Sequence, residues 1–414
     1  MAVPNNILQQ VQTYQESSLA YLQNLNCFIS TANTKFKDFE KLTANLGDTV
    51  TFDLPPRFIV ANSLVATFQS ANQRVQNLTV SNALNVSYAF TAQQFIFNVE
   101  DYMQNFGKSA TMELSAAIEA NVATNCVTAP YRFFGDGITQ INSYGQLASA
   151  LAMFRNYGAA KDNTKFYLSD IAQSAIVNTG LNQFVPRRND EIAMSWDVGT
   201  FDRAEFYVSN LLPVHTAGNV GINATVLTVL SLTTAADGSI TAITFSGAGT
   251  NDASAVLQYD KFQFSDNVST YPNLRYLTFI GHKVSSNPVQ FQATANAGSD
   301  GSGHVTVSIN PPLQSNTDSA QNLNYAVQIG MQVTALPSHR AGMITAGDPL
   351  FLAMPMLPEE VPFPTANQHD PDTGVSMRMY YGSLFGQNQR GMIHDSIWGS
   401  TAVSEYTMSV IFPL

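Results

Sequence analysis

The stretch from Gly47 to Phe97 places the strongest constraint on what this chain can fold into. Gly47-Asp48-Thr49-Val50-Thr51-Phe52 reads as a strand going out, and Leu78 to Phe90 as a strand coming back. On the return arm Leu78, Val80, Leu84, Val86, Tyr88 and Phe90 fall on one face, with Thr79, Ser81, Asn85 and Ser87 on the other. That period of two belongs to a half-buried strand. Between the arms, Ser63 to Gln76 is polar, nearly uncharged and without a core pattern. With about 20 residues per arm at roughly 3.3 Å each, the hairpin would reach up to ~65 Å, more than a compact domain needs. A lone hairpin is marginal in water. It is therefore expected to rest on a neighbouring chain, and assembly, not catalysis, is the leading expectation.

The surface composition points the same way. In 414 residues, 45% are hydrophobic and only 12% charged, so Asn, Gln, Ser and Thr carry the polar surface. Amides and hydroxyls find partners at an interface more cheaply than charges do. The length predicts two or three structural units with a real core. A net charge of -11 argues against nucleic-acid affinity of the whole chain. Lys35, Lys37 and Lys41 with Arg57 are interleaved with Asp38 and Glu40 and read as a solvated helix face. Cys27 and Cys126 give no disulfide framework, which suits a reducing compartment. No basic residue precedes Lys35 and no apolar run follows, so no secretory leader is expected, and no run reaches the ~18 residues of a membrane span.

Asn5 to Asn26 reads as an amphipathic helix through Ile7, Leu8, Val11, Leu19, Leu22 and Leu25. Asn98 to Val127 reads as the strongest helix, N-capped by Asn98 and followed by Pro130. Its apolar stripe is Val99, Tyr102, Met103, Phe106, Ala110, Leu114, Ala117, Ile118 and Val122. Such a helix serves as a spine against a sheet. Ser143 to Tyr157 and Ser169 to Val177 read as helices flanking a strand, Lys165 to Leu168, with a further strand over Phe201 to Asn210. From about Gly218 to Gly347 the pattern turns to short alternating strands. These are Ala224 to Leu232, Ser239 to Ser246, Gln290 to Ala295, His304 to Asn310, and a last one through Val327, Ile329, Met331 and Val333. Asp237-Gly238 is a good hairpin turn because both residues tolerate positive φ. The series predicts a small antiparallel barrel inserted as its own domain. Val375 to Tyr381, Met392 to Trp398 and Val403 to Phe412 return to longer strands. The class is α+β.

These pieces, in order, resemble the major capsid (coat) protein of tailed bacteriophages with the Hong Kong 97-like fold, in particular the short-tailed enterobacterial type with an inserted β-barrel. Gly47 to Phe52 resembles the start of that family's extended loop, and Asn163 to Ile171 with Phe201 to Gly218 its core. Asp260-Lys261-Phe262-Gln263-Phe264 and Val289 to Thr294 through Val305-Thr306-Val307 resemble strands of its insertion domain. Gly374 to Met379 resembles its penultimate core strand. The resemblance implies an N-terminal arm (1–46), an extended hairpin loop (47–97), and a spine helix with the first part of a peripheral and axial core (98–217). The inserted barrel (218–347) and the second part of the core (348–414) follow. It also implies self-assembly through hexamers and pentamers into an icosahedral virion shell, built in the host cytoplasm with a scaffolding protein and a portal. The shell encloses double-stranded DNA without sequence-specific contacts. The residues expected at contacts between subunits are Leu8, Leu22, Phe52, Arg57, Phe58, Phe68, Arg74 and Asp237. Two departures stand out. The family's charged insertion loop is replaced by the tight Asp237-Gly238 turn. No Lys lies between Lys41 and Lys108, so lysine cross-linking from the loop is not expected.

No catalytic, cofactor or metal site is expected. His394-Asp395-Ser396 lies on one strand, where neighbours point to opposite faces and cannot form a relay. His369-Asp370-Pro371-Asp372 reads as a turn, Gly247-Ala248-Gly249 and Gly301-Ser302-Gly303 lack a phosphate-loop context, and His215, His282, His304 and His339 have no ligand spacing. The rival readings are an encapsulin-like compartment, against which the inserted barrel speaks, a β-rich adhesin, which would need a repeat or trimerising coil, and an enzyme.

Overall fold

A computed structural model describes residues 27–34, 49–55, 58, 60, 68, 74–91, 107–158, 163–177, 200–266, 271–279, 281–316, 320–358, 365–369, 375–384 and 389–414. The predicted helix Asn5–Asn26, the first part of the predicted helix 98–127 and the turn after His369 lie outside them. The first elements are helix α1 (Cys27–Thr31), strands β1 (Thr49–Leu54), β2 (Arg74–Thr79) and β3 (Asn82–Thr91), and helix α2 (Lys108–Thr128). Next come β4 (Phe133–Phe134), α3 (Tyr144–Asn156), β5 (Thr164–Leu168), α4 (Asp170–Val177), β6 (Thr200–Phe201), β7 (Ala204–Val208) and β8 (Val214–His215). Helix α5 (Asn219–Ile222) precedes β9 (Val226–Thr234), β10 (Ile240–Ser246), β11 (Lys261–Phe264), β12 (Arg275–Leu277), β13 (Val284–Pro288), β14 (Gln290–Ala293), β15 (His304–Leu313) and β16 (Gln332–Ala335). The chain then runs through β17 (His339–Ala346), β18 (Leu350–Ala353), β19 (Thr365–His369), β20 (Ser376–Leu384), β21 (Gln389–Ala402), a 3-10 turn (Ser404–Tyr406) and β22 (Thr407–Phe412). The chain divides into two compact units. One comprises Met1–Phe52, Gln76–Cys126 and Asp348–Ala402, the other Asp53–Val75, Val127–Gly347 and Val403–Leu414.

The first unit is organised by β21. Residues 389–398 of this strand pair antiparallel with β3 on one side, and residues 389–395 with β20 on the other, while its last four residues pair with β18. Met392, His394, Ser396 and Trp398 alternate onto the buried face. Trp398 Nε1 donates to Asn121 Oδ1 at 3.3 Å, and Asn125 Nδ2 to Ser400 Oγ at 3.1 Å, so α2 lies on that face. Leu114, Ile118 and Val122 are buried as the helical period predicts, but Ala117 is exposed and the polar Thr111, Ser115 and Glu119 are buried instead. Glu119 accounts for part of this: its carboxylate accepts the N–H groups of Cys27 (2.8 Å), Phe28 (2.6 Å) and Ile29 (3.1 Å) and so caps the start of α1. Gly399 is required, since a Cβ there would meet the Thr79 carbonyl oxygen at 2.3 Å.

The return arm is not one strand. It breaks at Val80–Ser81: β2 pairs with β1, whereas β3 joins β21 over ten residue pairs. A full sheet partner offers the backbone more than a two-stranded ribbon does. The period of two survives in β3, where Asn82, Val86 and Tyr88 are half-buried and Ala83, Asn85, Ser87 and Ala89 exposed, but Leu84 remains exposed too.

The second unit holds a seven-stranded mixed sheet, ordered β4-β22-β17-β5-β7-β6 with β8 on β17. Helix α3 covers it with Leu147, Ala150, Leu151 and Phe154 against Phe166, Leu168, Ile344, Met408, Val410 and Phe412. Its ends match the sequence because the signals are local. Ser143 caps it, accepting from Gln146 N, while Gln146 Oε1 accepts from Asn142 N at 2.9 Å.

The predicted barrel is present and closed, with strand order β10-β15-β14-β11-β16-β9 and every pair antiparallel. Phe245, Phe262 and Phe291 stack inside it with centroids 5.2 to 6.3 Å apart. The Asp237-Gly238 turn forms, with Gly238 at φ +81°. The strand expected from Val327 begins only at Gln332, because Gly330 turns at φ +94°. Ile329 is thereby left 63% exposed. Strand β17, although within 218–347, belongs to the seven-stranded sheet.

Candidate assembly surface

Strands β1 and β2 form a short ribbon whose cross-strand contacts are uncharged. Thr49 and Thr79 share a hydroxyl bond of 3.0 Å, and Thr51 Oγ1 donates to Asn77 Oδ1 at 3.0 Å. At the ribbon's base Val50 is buried, the Phe52 ring lies 4.4 Å from Phe351, and Gln76 Nε2 donates to Thr401 Oγ1 at 3.0 Å. Beyond the base the described apolar side chains are exposed. Phe58 is 63% exposed, Val60 91% and Phe68 97%, with Val75 also exposed. The first three of these exposed apolar side chains belong to one loop of the sequence.

Of the sequence-predicted contact residues, Phe58, Phe68 and Arg74 share this segment, and Phe52 sits at its root. Arg74 forms an ion pair with Glu405 and donates to the Pro55 carbonyl at 3.0 Å. Asp237 stands apart, in the β9–β10 turn, where its carboxylate accepts from the Ser239 hydroxyl (2.7 Å) and N–H (3.0 Å), which hold it below the usual carboxylate range. Leu8, Leu22 and Arg57 lie outside the described residues.

His394 and Ser396 share a buried face, while Asp395 is held by Arg378 Nε at 2.9 Å. Among the described residues no group of three or more His, Cys, Asp or Glu is placed to hold a metal ion. Sequence reading did miss a buried polar cluster in the second unit. His215 Nε2 bonds Asp260 Oδ1 at 2.8 Å, the His215 and His339 rings are 5.2 Å apart, and Lys261 Nζ donates to the Pro130 carbonyl and to Ser409 Oγ (2.8 Å). The hydrogen-bonded pairs among these residues are up to 148 positions apart, so no spacing announced them.

Burial pushes His339 down to about 3, His394 to about 4 and Lys261 to about 7. For each group the unfolded chain binds more protons than the folded one between the two pKa values. Stability is therefore lost as pH falls from the unfolded histidine value through the folded ones, and the Lys261 contribution rises from about pH 7 towards the ordinary lysine range. In urea titrations between about pH 6 and 4, His339→Leu is expected to reduce the slope of stability against pH by up to ~1.4 kcal/mol per unit. An unchanged slope refutes this.

No family model matches this chain, and no curated protein does. Solved structures similar to it include one from Mycobacterium phage Che8, at 6% identity over 93% of this chain and 90% of that chain with a TM-score of 0.46. The capsid of Ralstonia phage GP4 aligns at 7% identity over 94% and 88%, with a TM-score of 0.45. The capsid of the cyanophage P-SCSP1u aligns at 10% identity over 92% and 88%, with a TM-score of 0.42.

Proposed function

We propose that this chain is a non-catalytic shell subunit, the major capsid protein of a tailed phage with a Hong Kong 97-like fold, and that it assembles by laying its ribbon on neighbouring copies. The observation that carries the reading is the bare apolar end of the ribbon at Phe58, Val60 and Phe68. The order of the sequence motifs supports it, as does a closed barrel within 218–347, where the resemblance expects an insertion. So does a sparsely charged surface. In this reading 1–46 is an arm, 47–97 the extended loop, 98–217 and 348–414 the core, and 218–347 the inserted domain, of which the barrel proper ends at Ala335. Copies form hexamers and pentamers of an icosahedral shell in the host cytoplasm, with scaffolding and portal proteins, around double-stranded DNA. Negative-stain microscopy of the purified chain, alone and with a co-expressed scaffold, tests this. Closed particles are expected; monomers under both conditions overturn it. Extracted nucleic acid would separate this reading from an enzyme-filled compartment.

A further inference from the structure

Within the second unit, the barrel is fastened to its surroundings through one polar face. Strands β11 and β14 pair with Lys261 opposite Gln292 and Gln263 opposite Gln290. Their neighbours Phe262, Phe264, Phe291 and Ala293 belong to the barrel core, so the alternation turns Lys261, Gln290 and Gln292 outward. All three are nevertheless buried, because the chain 129–133 and strand β22 lie against them. Gln290 grips Phe133 as a strand would, its Oε1 accepting the backbone N–H and its Nε2 donating to the carbonyl, both at 2.9 Å. Gln292 Nε2 donates to the Ala129 carbonyl at 3.2 Å. Lys261 Nζ donates to the Pro130 carbonyl and to Ser409 Oγ at 2.8 Å. Of these donors only the Lys261 amine titrates.

The surroundings of that amine suit its neutral form. Ser409 Oγ turns its own proton to the Val127 carbonyl at 3.4 Å and so offers Nζ a lone pair. The structure gives Nζ two acceptors, the number a neutral amine can use, whereas an ammonium carries three N–H groups. Burial holds the amine down at about 7. His339 of β17 stands near it, itself pushed down to about 3 by burial, with His215 of β8 beyond. Asp260 precedes Lys261 on β11, but its carboxylate is taken by His215 Nε2 (2.8 Å) and by the N–H groups of Gly218 (3.0 Å) and Leu257 (2.8 Å). The chain 129–133 brings Tyr131, whose ring lies against Tyr276, and Arg132, whose Nη2 donates to the carbonyls of Glu405 and Thr407. Strands β14 and β22 present the uncharged Gln292 and Ser409. No carboxylate accepts from Nζ.

We propose that Lys261 is a proton-controlled clasp: with its amine neutral the barrel is held on β22 and the chain 129–133, and with its amine protonated the barrel comes away more readily. The direction follows from proton counting. A lysine released to water keeps its proton to about pH 10.4. Between about 7 and that value the released form binds the extra proton, so raising pH opposes release, about five-fold from pH 7 to 8 and up to ten-fold per unit above. Below about pH 7 both forms carry the proton and the dependence ends. The clasp does not rest on self-association.

Amide hydrogen exchange of the dilute full-length chain, read at the Phe133 N–H by mass spectrometry with fragmentation, tests this. That amide loses its acceptor, Gln290 Oε1, when the barrel leaves. Exchange is catalysed by hydroxide, so an amide with a pH-independent opening speeds up about a hundred-fold from pH 7.5 to 9.5, above the ordinary histidine range. Amides within β21, in the first unit, are expected to do so. The Phe133 amide is expected to change less than about three-fold, with a single moving isotope envelope, because release becomes rarer as the chemistry becomes faster. Lys261→Met is expected to restore the hundred-fold rise at Phe133. A hundred-fold rise there in the unaltered chain overturns the clasp, and this reading needs no variant should Lys261→Met fail to fold. A flat profile that persists in a folded Lys261→Met chain overturns it too. So does Phe133 exchange no faster than that of Phe245 inside the barrel, which would mean that the barrel never leaves without unfolding.

Discussion

Replacing Phe58 and Phe68 together by aspartate is expected to abolish self-association while leaving the fold intact. Both rings are largely in solvent in the isolated chain, so little folded-state contact is lost. Burying a phenylalanine ring against a neighbour is worth roughly 1.5–3 kcal/mol, and two rings therefore weaken each contact by about 10²- to 10⁴-fold. The new carboxylates add the cost of placing charge in a dry interface. In a shell every subunit carries the loss, and weak contacts that must sum no longer do. Sedimentation velocity at matched concentration reads the outcome, with the thermal midpoint expected to move by no more than about 2 °C. Normal particles from the doubly substituted chain would show that the ribbon's end is not what joins the copies.

Glu119→Ala is expected to destabilise the first unit strongly. It removes the one carboxylate that accepts the N–H groups of Cys27, Phe28 and Ile29. A buried donor left without an acceptor costs about 1–3 kcal/mol, so a loss of roughly 3–5 kcal/mol follows even with partial relaxation. Burial raises the Glu119 carboxyl above its ordinary range, opposed by these same three bonds. Glu119→Gln keeps one acceptor oxygen but turns a donor towards the third N–H, so it should fall between the native residue and alanine. Urea unfolding measures the size, and faster amide exchange at residues 27–29 gives the location. Native-like exchange at those amides in the alanine variant would show that the cap is dispensable.

What the sequence revealed and what it hid divide by range of interaction. Helix α3 is legible to the residue because Ser143, Gln146 and the spacing of Leu147, Leu151 and Phe154 are all local. The barrel is legible because Val305, Val307 and Ile309 alternate and Asp237-Gly238 turns the chain. The partner of β3 is not, since β21 lies three hundred residues further on and any antiparallel edge with a matching face would satisfy the same alternation. Glu119 misleads a periodicity argument for the same reason: its place looks solvent-facing until α1 arrives to be capped. At the ribbon, the sequence shows an apolar pair in a polar loop, whereas the attachment of Arg74 to Glu405 spans 331 positions and leaves no local trace.

Strand β21 has a mechanical consequence. Ten of its residues are bonded to β3, and seven of those ten are bonded on their other edge to β20. A pull directed along this strand loads those rungs in shear, so they must give way together and not one at a time as in unzipping. Strand β21 is thus the element of the first unit along which a pull would be borne by many rungs at once.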